Sequence, residues 1–167
     1  MTTHFLAHLN VVRPVSAISP ESPELVYFFS RLMEIFAAAK TSPGMKWHNH
    51  GARRSDGSYL DLSEFMLLET SGLEENPHVL TMAGWDSTKA MHNFAYRLRP
   101  HVEGMKRLRH WVDRSEGATM VMWWVPAGSR VSLEDGWQRL EMLRNHGPSP
   151  DAFTLQSRFD PPSVKVA

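Results

Sequence analysis

The sequence contains no cysteine among its 167 residues. Disulfide bonds, thiolate metal ligands and a cysteine nucleophile are therefore excluded. An excess of either charge is missing too, because Lys plus Arg and Asp plus Glu both number 18. A chain of zero net charge has no overall field that attracts nucleic acid or an anionic membrane surface. We therefore expect no nucleic-acid partner and no membrane partner.

Long apolar runs are also missing. No run approaches the roughly 18 residues of a membrane span, and the opening stretch MTTHFLAHLNVV lacks the basic region of a signal peptide. Phosphate loops, dinucleotide fingerprints and nucleophile elbows are absent from the sequence. We therefore expect a cytoplasmic protein that uses no nicotinamide, flavin or ATP, and we predict neither a cofactor nor a metal in its site.

Large, soft and aromatic side chains are abundant instead. The chain has ten Met, six Trp, eight Phe and nine His. Such side chains fill irregular cores, and they also line pockets for apolar ligands. Composition alone does not say which way the rings point, so extra core and a ligand pocket both explain the excess.

The spacing of apolar residues predicts the order strand, helix, strand, strand, helix pair, strand, helix. The predicted segments are 5–12, 22–41, 45–50, 78–85, 86–98 with 101–114, 118–126 and 133–146. Residues 59–76 fit a strand, a short helix or a lid-like loop. A βαββαβ order is typical of the ferredoxin-like fold, an α+β fold with helices on one face of an antiparallel sheet. We predict one such domain over residues 1–160 with an extra C-terminal helix, and a flexible tail at 161–167.

The second face of this sheet needs a cover. The chain has too few predicted elements to cover both faces, so a second copy is the expected cover. The terminal helix and the extended tail, up to Phe159, are expected to shield the edge of the sheet. A homodimer follows from this prediction.

Several motifs resemble one family. They are MWWVPAG (residues 122–128) and RLEMLRNHGPSPDAFTL (139–155), together with HLNV, SPGMKW and GWDS near the starts of predicted elements. Over most of the chain these stretches resemble the domain of unknown function 3291 family, which is similar to the antibiotic-biosynthesis-monooxygenase group of dimeric α/β barrels. His48-Asn49-His50 and residues 53–77 depart from the family pattern.

The resemblance implies a ferredoxin-like protomer, a dimeric α/β barrel, and a cavity between the sheet and its helices. The wider group contains cofactor-free oxygenases of polyketide phenols, haem enzymes, cyclases, isomerases and proteins without known catalysis. It therefore supplies no single reaction, and function has to be argued from the site.

Two histidines lie two residues apart on one predicted strand. His48 and His50 share a face of that strand, but two imidazoles need a third ligand to hold zinc or iron. His8, His78 and His101 are conceivable third ligands, and no spacing singles one out. Metal binding, acid/base or substrate contact, and an exposed strand end all fit this pair.

Two further polar positions lie on apolar faces. His8 and Asn10 share a face of the first strand, where they point into a pocket, contact a second protomer, meet partners in the core or reach the surface. His101 follows Pro100 on the apolar side of a helix, which fits a general acid or base, an iron ligand, or a histidine bonded to the backbone.

We hypothesise an enzyme that holds a hydrophobic, polyketide-like small molecule and moves a proton with histidine. Asn10, Tyr96 or Arg109 would steady an enolate-like oxygen in cyclisation, isomerisation, dehydration or cofactor-free oxygenation. The alternatives are a binding module without catalysis and a haem or metal enzyme. The candidate catalytic residues are His8, His48, His50 and His101, and the candidate substrate-binding residues are Asn10, Trp47, Thr81, Trp85, Tyr96, Arg109, Met122, Trp123 and Trp124.

Overall fold

The computed structural model describes residues 4–15, 23–61 and 78–163. The strands are β1 His4–Val12, β2 Met45–Arg53, β3 Tyr59–Asp61, β4 His78–Trp85 and β5 Met120–Pro126. The helices are α1 Pro23–Lys40, α2 Thr88–Arg97, α3 Arg99–Leu108 and α4 Leu133–His146. None of the helices in these ranges is both long and apolar enough to cross a membrane.

All five strands form one antiparallel sheet in the order β3-β2-β4-β1-β5. Without β3, the order is second, third, first and fourth along the chain, which is that of a ferredoxin-like βαββαβ unit. The predicted α+β fold with an additional C-terminal helix is therefore confirmed.

The predicted strands match the structure closely, with one extension. β4 covers the predicted residues, while β2 runs three residues further and turns into the short strand β3. The turn between them contains Gly57 with a φ of 87°, a left-handed conformation that glycine adopts without strain. The start of the ambiguous segment is thus a strand, and residues 62–77 lie outside the described residues.

The helix starts follow the capping signals in the sequence, which predict Ser22 with Pro23 for α1 and Asp86 or Ser87 for α2. α1 begins at Pro23, as expected for proline at a first helical position, while its predicted cap Ser22 lies outside the described residues. Ser87 caps α2, because its hydroxyl accepts a hydrogen bond from the Ala90 N–H at 3.2 Å. Pro100 lies in the first turn of α3.

The third helix is shorter than predicted. It ends at Leu108 rather than near residue 114, because the chain beyond it pairs with residues 13–15, which directly follow β1. Val15 N–H donates to the Trp111 carbonyl at 2.9 Å, and the Trp111 ring packs against Phe28 with ring centroids 5.5 Å apart. These tertiary contacts end a segment whose apolar spacing alone resembles a continuing helix.

The sheet separates two different interiors. Along β1, Phe5 and Leu9 pack toward α4, whereas Leu6 and His8 point to the side of α1, α2 and α3. This is the alternation that a strand buried on both faces requires. It confirms the predicted division of β1 into one apolar face and one mixed face.

Helix α4 covers the centre of the sheet face that was expected to need a second copy. Trp137, Leu140 and other apolar residues of α4 are buried against β1, β4 and β5. Gly136 allows this close approach, since an added Cβ there would lie 3.3 Å from Leu9 and Met82. The expectation that α4 only shields an edge is therefore corrected: the chain covers this face with its own helix.

The C-terminal segment covers the β5 edge. Backbone hydrogen bonds of 2.8 and 2.9 Å join Met122 to Phe153, and the Trp124 indole N–H donates to the Phe159 carbonyl at 2.7 Å. The predicted packing of this segment up to Phe159 is confirmed.

Candidate functional site

A cavity of about 390 Å³ lies between the sheet and the first three helices. Its floor consists of polar and apolar side chains from β1, β2, β4 and β5, and its roof of mainly apolar side chains from α1, α2 and α3. Concave, largely apolar space with a few polar groups is the usual form of a small-molecule site. The described residues at its floor and roof include His8, Asn10, His48, Thr81, Met120, Leu32, Phe36, Met91, Phe94, His101 and Met105.

His8 lies on the cavity floor and is held in one tautomer. The Trp85 indole N–H donates to His8 Nδ1 at 2.9 Å. Because an indole N–H can only donate, Nδ1 carries the lone pair and the proton of the neutral ring lies on Nε2. Burial, followed by the nearby His101, lowers the pKa of His8 to about 4, while the Ala83 backbone opposes the shift. His8 is therefore a neutral hydrogen-bond donor at neutral pH.

His101 lies in the roof and is held in the opposite tautomer. Its Nδ1 lies 2.8 Å from the Ala95 carbonyl oxygen, which can only accept. Nδ1 must therefore carry the proton, and Nε2 carries the lone pair of the neutral ring. Burial lowers the pKa of His101, and the Ala95 hydrogen bond only partly offsets this effect. His101 is thus an unprotonated base at neutral pH.

A run of aromatic contacts joins the two histidines. Trp85 packs against Phe94 with ring centroids 5.0 Å apart, and Phe94 packs against His101 at 5.2 Å. Trp85 is fully buried, so its ring fixes His8 from below rather than lining the cavity. The sequence did not reveal this arrangement, because His8 and Trp85 belong to paired strands whose register depends on tertiary structure.

His48 and His50 lie beside α1, and His48 pairs across the sheet with Ala83, the β4 residue that also pairs with His8. The Phe36 ring stacks on His48 at 5.4 Å and tilts over His50 at 4.4 Å. Burial, with Lys40 as a second cause, lowers the pKa of His48, whose buried Nδ1 has no hydrogen-bond partner among the described residues. His50 is only 7% exposed, which excludes the exposed strand end for that residue. His48 lines the cavity, whereas His50 lies beneath Phe36.

The rim of the cavity is cationic. Arg31, Arg109 and Arg114 line it, together with the exposed Tyr96, and no Asp or Glu occurs among the described lining residues. Arg31 pairs with Glu34 of its own helix. Within the described ranges, neither Arg109 nor Arg114 has a hydrogen bond or ion pair.

The structure brings seven of the predicted site residues to one cavity. They lie on the sheet face opposite α4 or on the helices that cover that face. The seven residues are His8 and Asn10 on β1, His48 on β2, Thr81 on β4, Tyr96 on α2, His101 on α3 and Arg109 at the C-terminal end of α3.

The remaining predicted site residues lie outside the cavity. Trp47 and Trp123 are on the α4 face of the sheet, where Trp47 packs edge-on against Phe5. Met122 and Trp124 share the α2 face but pack with the C-terminal segment. The structure gives these four side chains packing roles, whereas Trp85 holds His8 from beneath the cavity and His50 lies beneath Phe36.

Most lining residues missed by sequence reasoning belong to helices. The inward side of α1 follows helical spacing, so its apolar stripe was detectable without revealing whether the space beneath it is filled. Arg114 is not among the predicted site residues, and its position at the rim depends on the pairing of residues 111–113 with residues 13–15. The lining residues missed from the sequence include Arg31, Leu32, Ile35, Phe36, Met91, Phe94, Met105, Arg114 and Met120.

A metal site requires at least three suitable ligands close together. In residues 4–15, 23–61 and 78–163, no three His, Asp or Glu side chains form such a group. His78, one of the conceivable third ligands for His48 and His50, instead contacts Glu116 at 3.0 Å.

Comparisons with known proteins identify a family but no activity. A family model described as "Domain of unknown function (DUF3291)" matches residues 5–167. No functionally curated protein matches the chain. The chain is similar to a dimeric ferredoxin-like protein of unknown function from Thermobifida fusca YX, with 12% identity and a TM-score of 0.44, over 75% of this chain and 93% of that one.

Proposed function

This chain belongs to the DUF3291 family, and we propose that it is a small-molecule enzyme that moves a proton next to a carbonyl group without a cofactor. His101 is the general base and His8 is the hydrogen-bond donor to the oxygen that becomes negative. The support is the pair of neutral histidines with opposite tautomers in one largely apolar cavity.

The proposed step uses both Nε2 atoms. His101 Nε2 takes a proton from the carbon beside the carbonyl, and the electron pair of that C–H bond moves to form an enolate. His8 Nε2–H donates to the enolate oxygen while Trp85 keeps the donor tautomer in place. Return of the proton from His101 to another carbon gives isomerisation. Attack by the enolate carbon on a second carbonyl forms a C–C bond, and the resulting alkoxide takes the proton back from His101, which gives cyclisation.

The environment suits this chemistry. A base with a lowered pKa stays unprotonated at neutral pH, and a donor aimed at developing charge in an apolar site is stronger than one in water. Phe94 packs against His101 and Trp85, so the ring of the base and the ring that supports the donor are both restrained.

Deuterium exchange tests the proposal without knowledge of the natural substrate. Bicyclic ketones with a fused aromatic ring, starting with 2-tetralone, would be incubated in D2O, and loss of the α-proton signal would be followed by NMR. We expect exchange well above that with an equal concentration of free imidazole. His101→Asn should lower the enzyme-dependent rate by about 100-fold, the usual scale of a general base.

Substitution of His8 by asparagine or glutamine distinguishes the roles of its two ring nitrogens. Asparagine places its amide near the position of Nδ1, and glutamine reaches near Nε2. His8→Asn therefore keeps an acceptor for Trp85 but removes the outer donor, whereas His8→Gln can restore a donor. We expect exchange to fall in the first variant and partly recover in the second. The exposed His146, on α4, gives the control His146→Asn. Bound ketone with no exchange in the wild type would exclude the enzyme.

A binding module without catalysis is the second candidate. The observation that favours it is the methionine-rich lining, because flexible Met side chains adapt to different apolar ligands. The same exchange experiment separates the two functions, since a binding module would hold the ketone without accelerating exchange. The haem alternative would use His101 Nε2 as its iron ligand and stays a prediction.

Three further predictions from the sequence belong to this proposal: the relation to a wider group, the homodimer and the cytoplasmic location. A relation to the antibiotic-biosynthesis-monooxygenase group would fit a polyketide-like substrate. A homodimer is consistent with Val26 and Met33, which are exposed and lie seven residues apart on one side of α1. A cytoplasmic location would fit the absence of cysteine. All three stay predictions.

A further inference from the structure

The cavity rim carries positive charge that no described residue neutralises. Arg109 and Arg114 line the rim, and within the described residues neither guanidinium is paired. An unpaired arginine on a convex surface would simply be solvated and would not indicate a ligand site. These two instead border an apolar cavity that has no acidic residue in its described lining.

The acidic side chains nearest in sequence are engaged elsewhere. Asp113 accepts a hydrogen bond from Ser115 N–H at 2.8 Å and lies 3.7 Å from Arg13. Glu116 pairs with Arg13, with His78 at 3.0 Å and with Arg144 at 3.0 Å.

Among the described residues, α3 itself carries a further carboxylate. Glu103 pairs with Arg99 at 2.7 Å, on an exposed part of the helix. In the part of the chain that the structure describes, no carboxylate pairs with the two rim guanidinium groups, so they can meet an anion from outside the chain.

Helix α3 also runs along the cavity from His101 to the rim. His101, Gly104, Met105 and Arg109 all line it, with Arg109 as the helical C-cap residue. Eight residues of helix separate the Cα atoms of His101 and Arg109 by about 12 Å. The methionine between the base and the guanidinium makes the intervening surface apolar.

We propose, building on the proton-transfer function above, that the substrate is an elongated apolar anion. Its charged group, a carboxylate or an acidic enol, pairs with Arg109 and Arg114 at the rim. Its reacting carbon lies near His101, about 12 Å away along α3. The methionine-rich and aromatic lining between the two ends holds the apolar body.

Two fluorescent probes of matched shape test the charge preference. 1-Anilinonaphthalene-8-sulfonate is an apolar anion, and N-phenyl-1-naphthylamine is the same ring system without the sulfonate. Both gain fluorescence in an apolar cavity, and neither has a proton that His101 would remove. We expect the anion to bind about 10-fold more tightly, because exposed charge pairs contribute modestly and two of them act together.

Variants then assign the preference to the rim. Arg109→Gln/Arg114→Gln should bring the two affinities to within about two-fold and leave the neutral probe unchanged. The exposed Arg130, in the loop before α4, does not line the cavity, so Arg130→Gln is the matched control. Salt should weaken only the anionic probe, since it screens exposed charges.

The outcomes separate failure of the anionic-substrate inference from failure of the proposed enzyme. Equal affinities in the wild type would overturn the anionic substrate while leaving the cavity and its histidines intact. A preference for the anion that survives the double arginine variant would overturn the assignment to the rim. Binding of neither probe would remove the cavity as a ligand site, and the proposed function with it. Displacement of the anionic probe by 2-naphthoate but not by 2-naphthamide is the supporting result.

Discussion

At the scale of single residues, His8 has the most perturbed environment of the histidines in the cavity. Its ring is 8% exposed, receives the Trp85 N–H at Nδ1 and lies close enough to His101 for their charges to interact. Protonation of His8 would displace a donor from Nδ1 and place a charge in an apolar interior. The folded state therefore resists protonation that the unfolded chain accepts.

This resistance makes folding stability depend on pH. The unfolded pKa of 6.5 falls to about 4 in the folded protein, so between these values the unfolded state binds more protons. Stability is present above the unfolded pKa and is lost as pH falls. For His8 alone we expect a loss of about 2 kcal/mol between about pH 7 and about pH 4.5.

Urea unfolding at the two pH values, for wild type and His8→Asn, measures this contribution. Asparagine keeps an acceptor for Trp85 but does not titrate, so the variant should lose less stability on acidification. The other histidines titrate in both proteins and cancel in the comparison. Equal losses in the two proteins would mean that His8 is not the group that resists protonation.

The face on which a residue lies could be predicted from the sequence more readily than the tautomer of its side chain. The alternation along β1 placed His8 and Asn10 on one face, and helical spacing placed His101 on the inward side of its helix. The tautomers were not predictable, because they depend on Trp85 and the Ala95 carbonyl, each brought near by packing. The same holds for the six predicted side chains that lie outside the cavity.

At the scale of elements, the contacts of β2 and α4 were the hardest to predict. Periodicity and Gly147 at the C-cap identified α4 correctly, and the structure adds a capping box at its start, where Ser132 and Asp135 bond to each other's backbone N–H. Its position over the sheet depends on glycine at two contact points, Gly136 on the helix and Gly51 on β2. A single glycine in a sequence does not reveal which element will approach it.

Gly51 and Gly104 give a matched pair for testing these contacts. A Cβ at Gly51 would lie 2.4 Å from the Leu60 carbonyl oxygen of β3 and 2.4 Å from Leu133 of α4. At Gly104 on α3 the nearest atom, in Ile35, is 3.9 Å away. We expect Gly51→Ala to destabilise the fold by about 2 kcal/mol through overpacking, and Gly104→Ala to stabilise it by about 0.5–1 kcal/mol through helix propensity.

Urea unfolding at neutral pH measures both changes. Opposite signs would support the close approach of β3 and α4 to β2, because the chemical change is the same in the two variants. A neutral Gly51→Ala would contradict that approach. Gly104→Ala also tests whether α3 stays helical where it lines the cavity.

At the scale of the whole molecule, one sheet carries a filled face and a hollow face. The α4 face buries a continuous apolar cluster, whereas the opposite face leaves about 390 Å³ beneath α1, α2 and α3. Composition could not distinguish these interiors, since the same Met, Phe and Trp side chains occur in both. The hollow face has a cost in packing that a filled core would avoid, which is a common property of functional sites.

Enlarging one alanine on each face tests this asymmetry. Ala7 is fully buried on the α4 face of β1, and Ala39 is 3% exposed on α1 but lines the cavity. Ala7→Leu should destabilise the protein by about 1–3 kcal/mol, because a packed core has no room for the added carbons. Ala39→Leu can extend into the cavity and should stay within about 1 kcal/mol of the wild type.

The two variants should also differ in ligand binding. Ala39→Leu occupies part of the cavity, so the affinity for N-phenyl-1-naphthylamine should fall several-fold while the folded structure is retained. Ala7→Leu, measured under conditions in which it is fully folded, should bind the probe as the wild type does. Equal destabilisation by both substitutions would mean that α1 packs as closely on the sheet as α4 does. The combination of a tolerated substitution and a lost ligand is expected only from a cavity that is open in solution.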